Sequence, residues 1–139
     1  MDSKIKKNVL FVCEGNACRS IIAEALGNFY WGNVIIAASA GISPMEEIPR
    51  ETFKVLDEIR VPTIGLHPKS IKTIDIGSFD IIINFALISI EEYLPVNFTG
   101  KIIDWYVRDP YRGSLDSFRQ TRNAIEWFIT DIFPRYIGL

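Results

Sequence analysis

From Asn8 to Cys13 the chain reads Asn-Val-Leu-Phe-Val-Cys, apolar at every position after the first. Side chains alternate between the two faces of a strand, so a run like this needs cover on both sides of its sheet. That excludes a sheet with one wet face and points to strands enclosed by other elements. Val34 to Ala38, Phe79 to Asn84 and Lys101 to Trp105 read as three further strands. Helical patterns lie between and after them. From Arg19 to Trp31 the apolar residues Ile22, Ala25, Leu26 and Phe29 recur at helical spacing, with Gly32 as the stop. Pro49 opens a second helix as its first residue, carrying Thr52, Val55, Leu56 and Ile59 on one side and ending before Pro62. A long terminal helix starts at Ser114, the N-cap, and carries Leu115, Phe118, Ile125, Phe128, Ile129 and Ile132. Between Ala86 and Gly100 a short helix around Glu91 gives way to a loop.

Strand, helix, strand, helix predicts an α/β fold with a parallel sheet. The 139 residues suit a single domain, and no repeat or Gly/Ser linker divides 1–139. Parallel strands send all their carboxyl ends to one edge, where open α/β sheets bind ligands. The loops starting at Cys13, Ser39, Asn84 and Tyr106 are therefore expected to meet.

Fifteen basic and seventeen acidic side chains leave a formal charge of −2, which gives no electrostatic case for nucleic acid as a partner. Two cysteines are too few for a disulfide framework and, with one histidine, too few for a four-ligand zinc site. The basic segment Met1 to Lys7 precedes an apolar run far too short for a signal peptide, and Ile81 to Ile90 falls short of a membrane span. The expectation is a cytoplasmic protein without membrane association.

The chemistry concentrates in Cys13-Glu14-Gly15-Asn16-Ala17-Cys18-Arg19-Ser20, between the first strand and the first helix. A cysteine six residues before an arginine is common by chance; its context makes it informative. Gly15 permits close backbone approach, and the helix start offers free N–H groups to an anion. Arg19 adds a bidentate grip on two oxygens. The helix N-terminus and the guanidinium both favour a Cys13 thiolate, the nucleophilic form. Ser20 is placed to donate to the sulfur. Asp109, in Arg108-Asp109-Pro110-Tyr111, lies beyond the fourth strand on the same edge and is the candidate general acid and base. Read simply, Cys13 is a buried structural cysteine and Asp109-Pro110 a turn.

Val9 to Glu24, VLFVCEGNACRSIIAE, resembles the nucleophile loop of the low-molecular-weight protein tyrosine phosphatases and the related arsenate reductases. The resemblance extends through Ser39-Ala40-Gly41, His67-Pro68-Lys69-Ser70, Phe79 to Asn84 and Asp109-Pro110, nearly the whole chain. It implies a four-stranded parallel sheet flanked by helices and no metal or organic cofactor. It also implies Cys13 as nucleophile, Arg19 as oxyanion clamp, Asp109 as general acid and base, and Asn16 and Ser20 as supports of the loop. Tyr111, directly after Asp109-Pro110, takes the place of the aromatic pocket wall, whereas Arg112 replaces a second tyrosine. The implied substrates are phosphotyrosine proteins or small aryl phosphates, and phosphate-like oxyanions in general.

Two activities follow from the resemblance. Phosphomonoester hydrolysis through a phosphocysteine comes first. Arsenate reduction is the alternative; the internal cysteine relay of the thioredoxin-coupled branch is absent, since no cysteine follows Cys18, so the thiol must come from outside. Cys18 stands where the phosphatases carry a possible redox partner of the nucleophile, or is a small buried residue without that role. His67 either orients a loop serine or serves its own segment. Trp31, Trp105 and Trp127 read as core or half-buried packing residues.

Overall fold

The computed structural model describes residues 5–138. The start of the segment Met1 to Lys7 therefore lies outside the described residues. Four strands form one parallel sheet in the order β2-β1-β3-β4: β1 (Lys7–Cys13), β2 (Ile35–Gly41), β3 (Ile81–Asn84) and β4 (Lys101–Asp104). Three helices complete the frame: α1 (Arg19–Trp31), α2 (Arg50–Glu58) and α3 (Leu115–Trp127).

The alternation of β1 sets the two layers. Val9, Phe11 and Cys13 face a core built with Ile22 and Leu26 of α1, Val55 and Leu56 of α2, and Phe118 and Ile125 of α3. Leu10 and Val12 face the opposite side with Ile71, Ile76, Ile82 and Ile90. That second side is covered by short 3-10 turns at Ile71–Thr73, Ile76–Ser78 and Glu91–Tyr93 rather than by long helices. Each fully buried Leu, Ile or Phe contributes roughly 1.5–3 kcal/mol of transfer free energy, so one central strand anchors both layers.

Strand order explains why the site forms where it does. β1 pairs with β2 on one side and β3 on the other, so the chain reverses its winding at β1. The crevice at such a reversal opens beyond the carboxyl ends of the strands, and Cys13 is the last residue of β1.

Several boundaries differ from expectation. β2 runs on to Gly41, because its C-terminal half pairs with Val12 and Cys13. Pro49 is the N-cap of α2, not its first residue, with the extended backbone (ψ 143°) of a residue outside the helix. α3 starts as expected, with Ser114 Oγ accepting from Ser117 N. It does not continue as one long helix: a wide π-type turn at Phe128–Ile132 leads into a 3-10 turn at Phe133–Tyr136. Pro134 has no N–H to donate, so an α-helical ladder cannot pass through it. Trp127 is half-buried, as expected, with its ring 6.2 Å from that of Trp105. Among the described residues, no helix is long and apolar enough to cross a membrane.

Candidate active site

Residues 13–18 curl at the end of β1 with their carbonyls turned outward. Cys13 O accepts from Ile42 N, Glu14 O from Ser43 N and Gly15 O from Met45 N, so the segment after β2 zips along the back of the loop. Ala17 O accepts from Thr52 Oγ1 of α2 at 2.8 Å, and Cys18 O from Ile22 N of α1. Among the described residues, no N–H from Glu14 to Cys18 donates to a protein acceptor. The loop thus spends its acceptors on the scaffold and presents donors inward, the polarity an anion requires.

The left-handed position in the loop is Asn16, at φ 47°, and not Gly15. Asparagine tolerates this region better than most side chains. The Asn16 carboxamide then bridges two segments: Oδ1 accepts from Lys69 N at 2.8 Å, and Nδ2 donates to Ser20 Oγ at 2.8 Å. Ser20 Oγ lies 3.0 Å from Cys13 Sγ. Either atom of this pair can donate; when Cys13 is a thiolate, the Ser20 hydroxyl is the donor and stabilises the negative charge. Gly41 is required close by, since a Cβ there would lie 2.8 Å from both the Cβ and the N of Asn16.

Arg19 is 4% exposed, and its guanidinium is fixed from one side only. Nη1 donates to Phe85 O (3.1 Å) and Val107 O (2.9 Å), carbonyls just beyond β3 and β4. Phe85 is itself immobilised in the core, stacked on Phe11 at 5.9 Å. Nη2 lies 3.6 Å from Asp109 Oδ2, and the buried Nε has no protein partner. The Nε–Nη2 edge is therefore free to grip two oxygens of one anion.

Asp109 stands at the mouth, half-exposed. Its Oδ1 accepts from Tyr111 N at 3.0 Å, leaving Oδ2 to face Arg19. Cys13, Glu14, Gly15, Ala17, Cys18, Arg19, Asp109 and Tyr111 line one cavity of about 210 Å³ together with Ser43 and Met45. Of the expected site residues, Asn16 and Ser20 lie behind that wall as supports. Glu14 is exposed on the rim. Arg112 adopts φ 65°, and its guanidinium sits 5.5 Å from the Tyr111 ring centroid, outside the cavity.

Cys18 is buried, and burial pushes its thiol up to about 12. It is a neutral thiol at physiological pH, and both cysteines are free. His67 does not reach a loop serine; its Nδ1 pairs with Gly65 O within its own segment.

Four contributors were not singled out in the sequence as site residues. Ser43 and Met45 come from a segment with no periodicity. Thr52 lies on the buried face of its helix, as its spacing predicts, and its hydroxyl also holds the loop. Lys69 acts through its backbone N–H, which no residue type reveals; its Nζ lies 3.7 Å from Glu24, which accepts from Ser39 Oγ at 2.6 Å. The quoted motifs at 39–41 and 67–70 were the available signal.

Comparison with known proteins places this geometry among relatives. The family model described as low molecular weight phosphotyrosine protein phosphatase matches residues 8–135. A glutaredoxin arsenate reductase from Synechocystis is 26% identical over 131 residues, covering 93% of this chain and 98% of the relative. A low molecular weight protein tyrosine phosphatase from T. tengcongensis superposes with a TM-score of 0.80 at 25% identity, over 94% of this chain and 99% of that one. An arsenate reductase in the phosphate-binding state shares the fold at a TM-score of 0.80 and 23% identity, over 93% of this chain and 98% of that one.

Proposed function

Because the chain belongs to the low molecular weight phosphotyrosine protein phosphatase family, a family of enzymes that includes arsenate reductases, we propose that it performs thiolate chemistry on a tetrahedral oxyanion, with Cys13 as the nucleophile. One observation carries this reading. The Cys13 sulfur receives the Ser20 hydroxyl at 3.0 Å, within an inward-facing set of N–H groups and beside the free Nε–Nη2 edge of Arg19. Such donors stabilise charge that develops as the nucleophile attacks.

Within that chemistry, the relatives favour arsenate as the oxyanion and an external thiol as the reductant. Cys13 attacks arsenic(V), an S–As bond forms, and one oxygen leaves as water with a proton from Asp109. An external thiolate then attacks Cys13 sulfur. The S–As bond breaks with its electron pair staying on arsenic, which departs as arsenite, and Cys13 is left in a mixed disulfide. A second thiol frees the Cys13 thiolate. Two thiols thus become one disulfide while arsenic gains two electrons.

Phosphomonoester hydrolysis is the second reading. It is favoured by Asp109 Oδ2 at the mouth, positioned to protonate an ester oxygen, with Tyr111 lining the same cavity. The T. tengcongensis phosphatase supports it as well. The substrates in that case are phosphotyrosine proteins or small aryl phosphates.

The two separate in one pair of assays, run beside Cys13→Ser. Arsenate-dependent oxidation of dithiothreitol is measured against phosphate release from an aryl phosphate. Faster arsenate turnover supports the first reading, and the reverse places hydrolysis ahead. Activity retained in the serine variant would overturn the nucleophile assignment for both.

A further inference from the structure

A second cavity, of about 360 Å³, adjoins the one that holds Cys13, and Asp109 and Tyr111 line both. The turn from Arg108 to Ser114 and the first turns of α3 form the rest of its wall. Two arginines, Arg108 and Arg112, line it. Among the described residues, neither guanidinium donates a hydrogen bond or meets a carboxylate. Further along α3, Arg119 and Arg122 are both taken up by Glu58. The single carboxylate among the lining residues, Asp109, directs its two oxygens at Tyr111 N and Arg19. The cavity therefore carries two positive charges with no fixed partner.

The wall is tied down by its own hydrogen bonds. Arg108 O accepts from Thr121 Oγ1 at 3.3 Å, and Gly113 N donates to Pro110 O at 2.7 Å. Ser114 Oγ accepts from Ser117 N at 3.1 Å, while Ser117 Oγ donates to Ser114 O at 2.7 Å. Arg112 has φ 65°, and its guanidinium lies 5.5 Å from the Tyr111 ring centroid. Tyr111 also lines the Cys13 cavity, so the arginine and the aromatic wall form one unit between the two. Charge around the mouth is segregated as well. Glu14 and Asp104 line depressions that include Leu87, Ile88 and Tyr106 but neither Arg108 nor Arg112. An acidic group entering beside the Cys13 cavity is thus drawn to one side and repelled from the other.

We propose that the cavity of Arg108 and Arg112 is a second anion subsite. It holds a carboxylate carried by the same molecule whose phosphoryl group binds at Cys13, such as an acidic residue next to a phosphotyrosine. Guanidinium forks match carboxylate geometry with paired N–H donors. The assignment rests on the hydrolytic reading above, because free arsenate carries no second group and fills the Cys13 cavity alone. A small aryl phosphate with an acidic arm presents the same chemistry, and separate arms of the test distinguish the two sources.

Binding is measured by calorimetry with phosphonates, which are not hydrolysed. The peptide arm uses phosphonomethylphenylalanine with glutamate on its amino or its carboxyl side, and glutamine in the reference peptide. The small-molecule arm compares 3-carboxybenzylphosphonate with benzylphosphonate. In at least one arm the acidic ligand should bind at least about fivefold more tightly than its neutral partner. That ratio should fall to about one when Arg108→Ala and Arg112→Ala are combined. Arg112→Glu should reverse the preference, so that a peptide with lysine in the same place binds better than the glutamate peptide. A gain in the peptide arm alone assigns the subsite to polypeptide substrates, and a gain in the other arm alone assigns it to small acidic esters. Equal affinity for acidic and neutral ligands in both arms, a preference that survives the double substitution, or no phosphonate binding at all overturns the subsite. Phosphate release from phenyl phosphate, measured in parallel, reports on hydrolysis separately: selective phosphonate binding without turnover sinks the hydrolytic reading and leaves the subsite standing.

Discussion

Asn16→Ala tests how the loop from Cys13 to Arg19 is held. Asn16 is fully buried, and its carboxamide satisfies two groups: the Lys69 N–H at 2.8 Å and the Ser20 oxygen at 2.8 Å. Removing the carboxamide leaves both without that partner, at about 1 kcal/mol each for ordinary hydrogen bonds. Alanine at φ 47° adds about 1 kcal/mol of backbone strain. The sum is about 3 kcal/mol of folding stability, read from urea unfolding monitored by tryptophan fluorescence. Asn16→Gly removes the same hydrogen bonds but tolerates the left-handed backbone, so it should recover about 1 kcal/mol relative to Asn16→Ala. Both variants should also weaken binding of phosphate or vanadate, because Asn16 no longer holds Ser20 and the Lys69 segment against the loop. A loss below about 1 kcal/mol for Asn16→Ala, or no advantage of glycine over alanine, would refute the reasoning.

Three further outcomes follow from other parts of the molecule. Arg19→Lys removes the fork that satisfies Phe85 O and Val107 O while leaving an edge for the anion, so turnover should fall by about a hundredfold or more, measured as kcat/KM; a lysine variant within tenfold of the parent would show that a point charge suffices. Glu58 accepts from Arg119 and Arg122, with contacts at 2.7 and 2.6 Å, and these arginines hold its carboxyl below the usual range. Its contribution is present above the unfolded carboxylate range and is lost as pH falls through the lowered folded value, so Glu58→Gln should destabilise at pH 7 and lose its effect in acid, below that lowered value, in thermal melts. Asn28 Nδ2 donates to Ala37 O while its Oδ1 accepts from Ala37 N, so a side chain occupies the outer edge of β2 in place of a neighbouring strand. Asn28→Ala should cost about 1–2 kcal/mol and promote self-association seen by sedimentation, since an open edge is a pairing site.

The order of elements and the turn from β1 into α1 at Cys13 to Arg19 were legible in the sequence because both rest on local patterns. β1 announces itself by an unbroken apolar run, and α1 by the spacing of Ile22, Ala25, Leu26 and Phe29. The position of Asp109 near Arg19 followed from parallel topology alone. What the sequence did not disclose depends on contacts between distant segments. The zipper from Ile42 to Met45, the Lys69 N–H on Asn16 and the carbonyls of Phe85 and Val107 are main-chain interactions, carried by no residue type. The same reason accounts for β2: its last residues are small, and pairing with Val12 and Cys13 made them a strand. The terminal helix reads as one long helix in the sequence because Phe128, Ile129 and Ile132 keep an apolar rhythm through the π-type turn, while Pro134 sets the change from beyond it.

The most direct test of the central claim is site-resolved alkylation at pH 7.5, with iodoacetamide added in the presence and absence of phosphate or arsenate and the labelled cysteine identified by peptide mass mapping. The account predicts that Cys13 is labelled first, that either oxyanion slows this labelling strongly, and that Cys18, its thiol held neutral by burial, stays unlabelled until the protein is unfolded. Labelling of Cys18 ahead of Cys13, or a Cys13 rate indifferent to both anions, would contradict it.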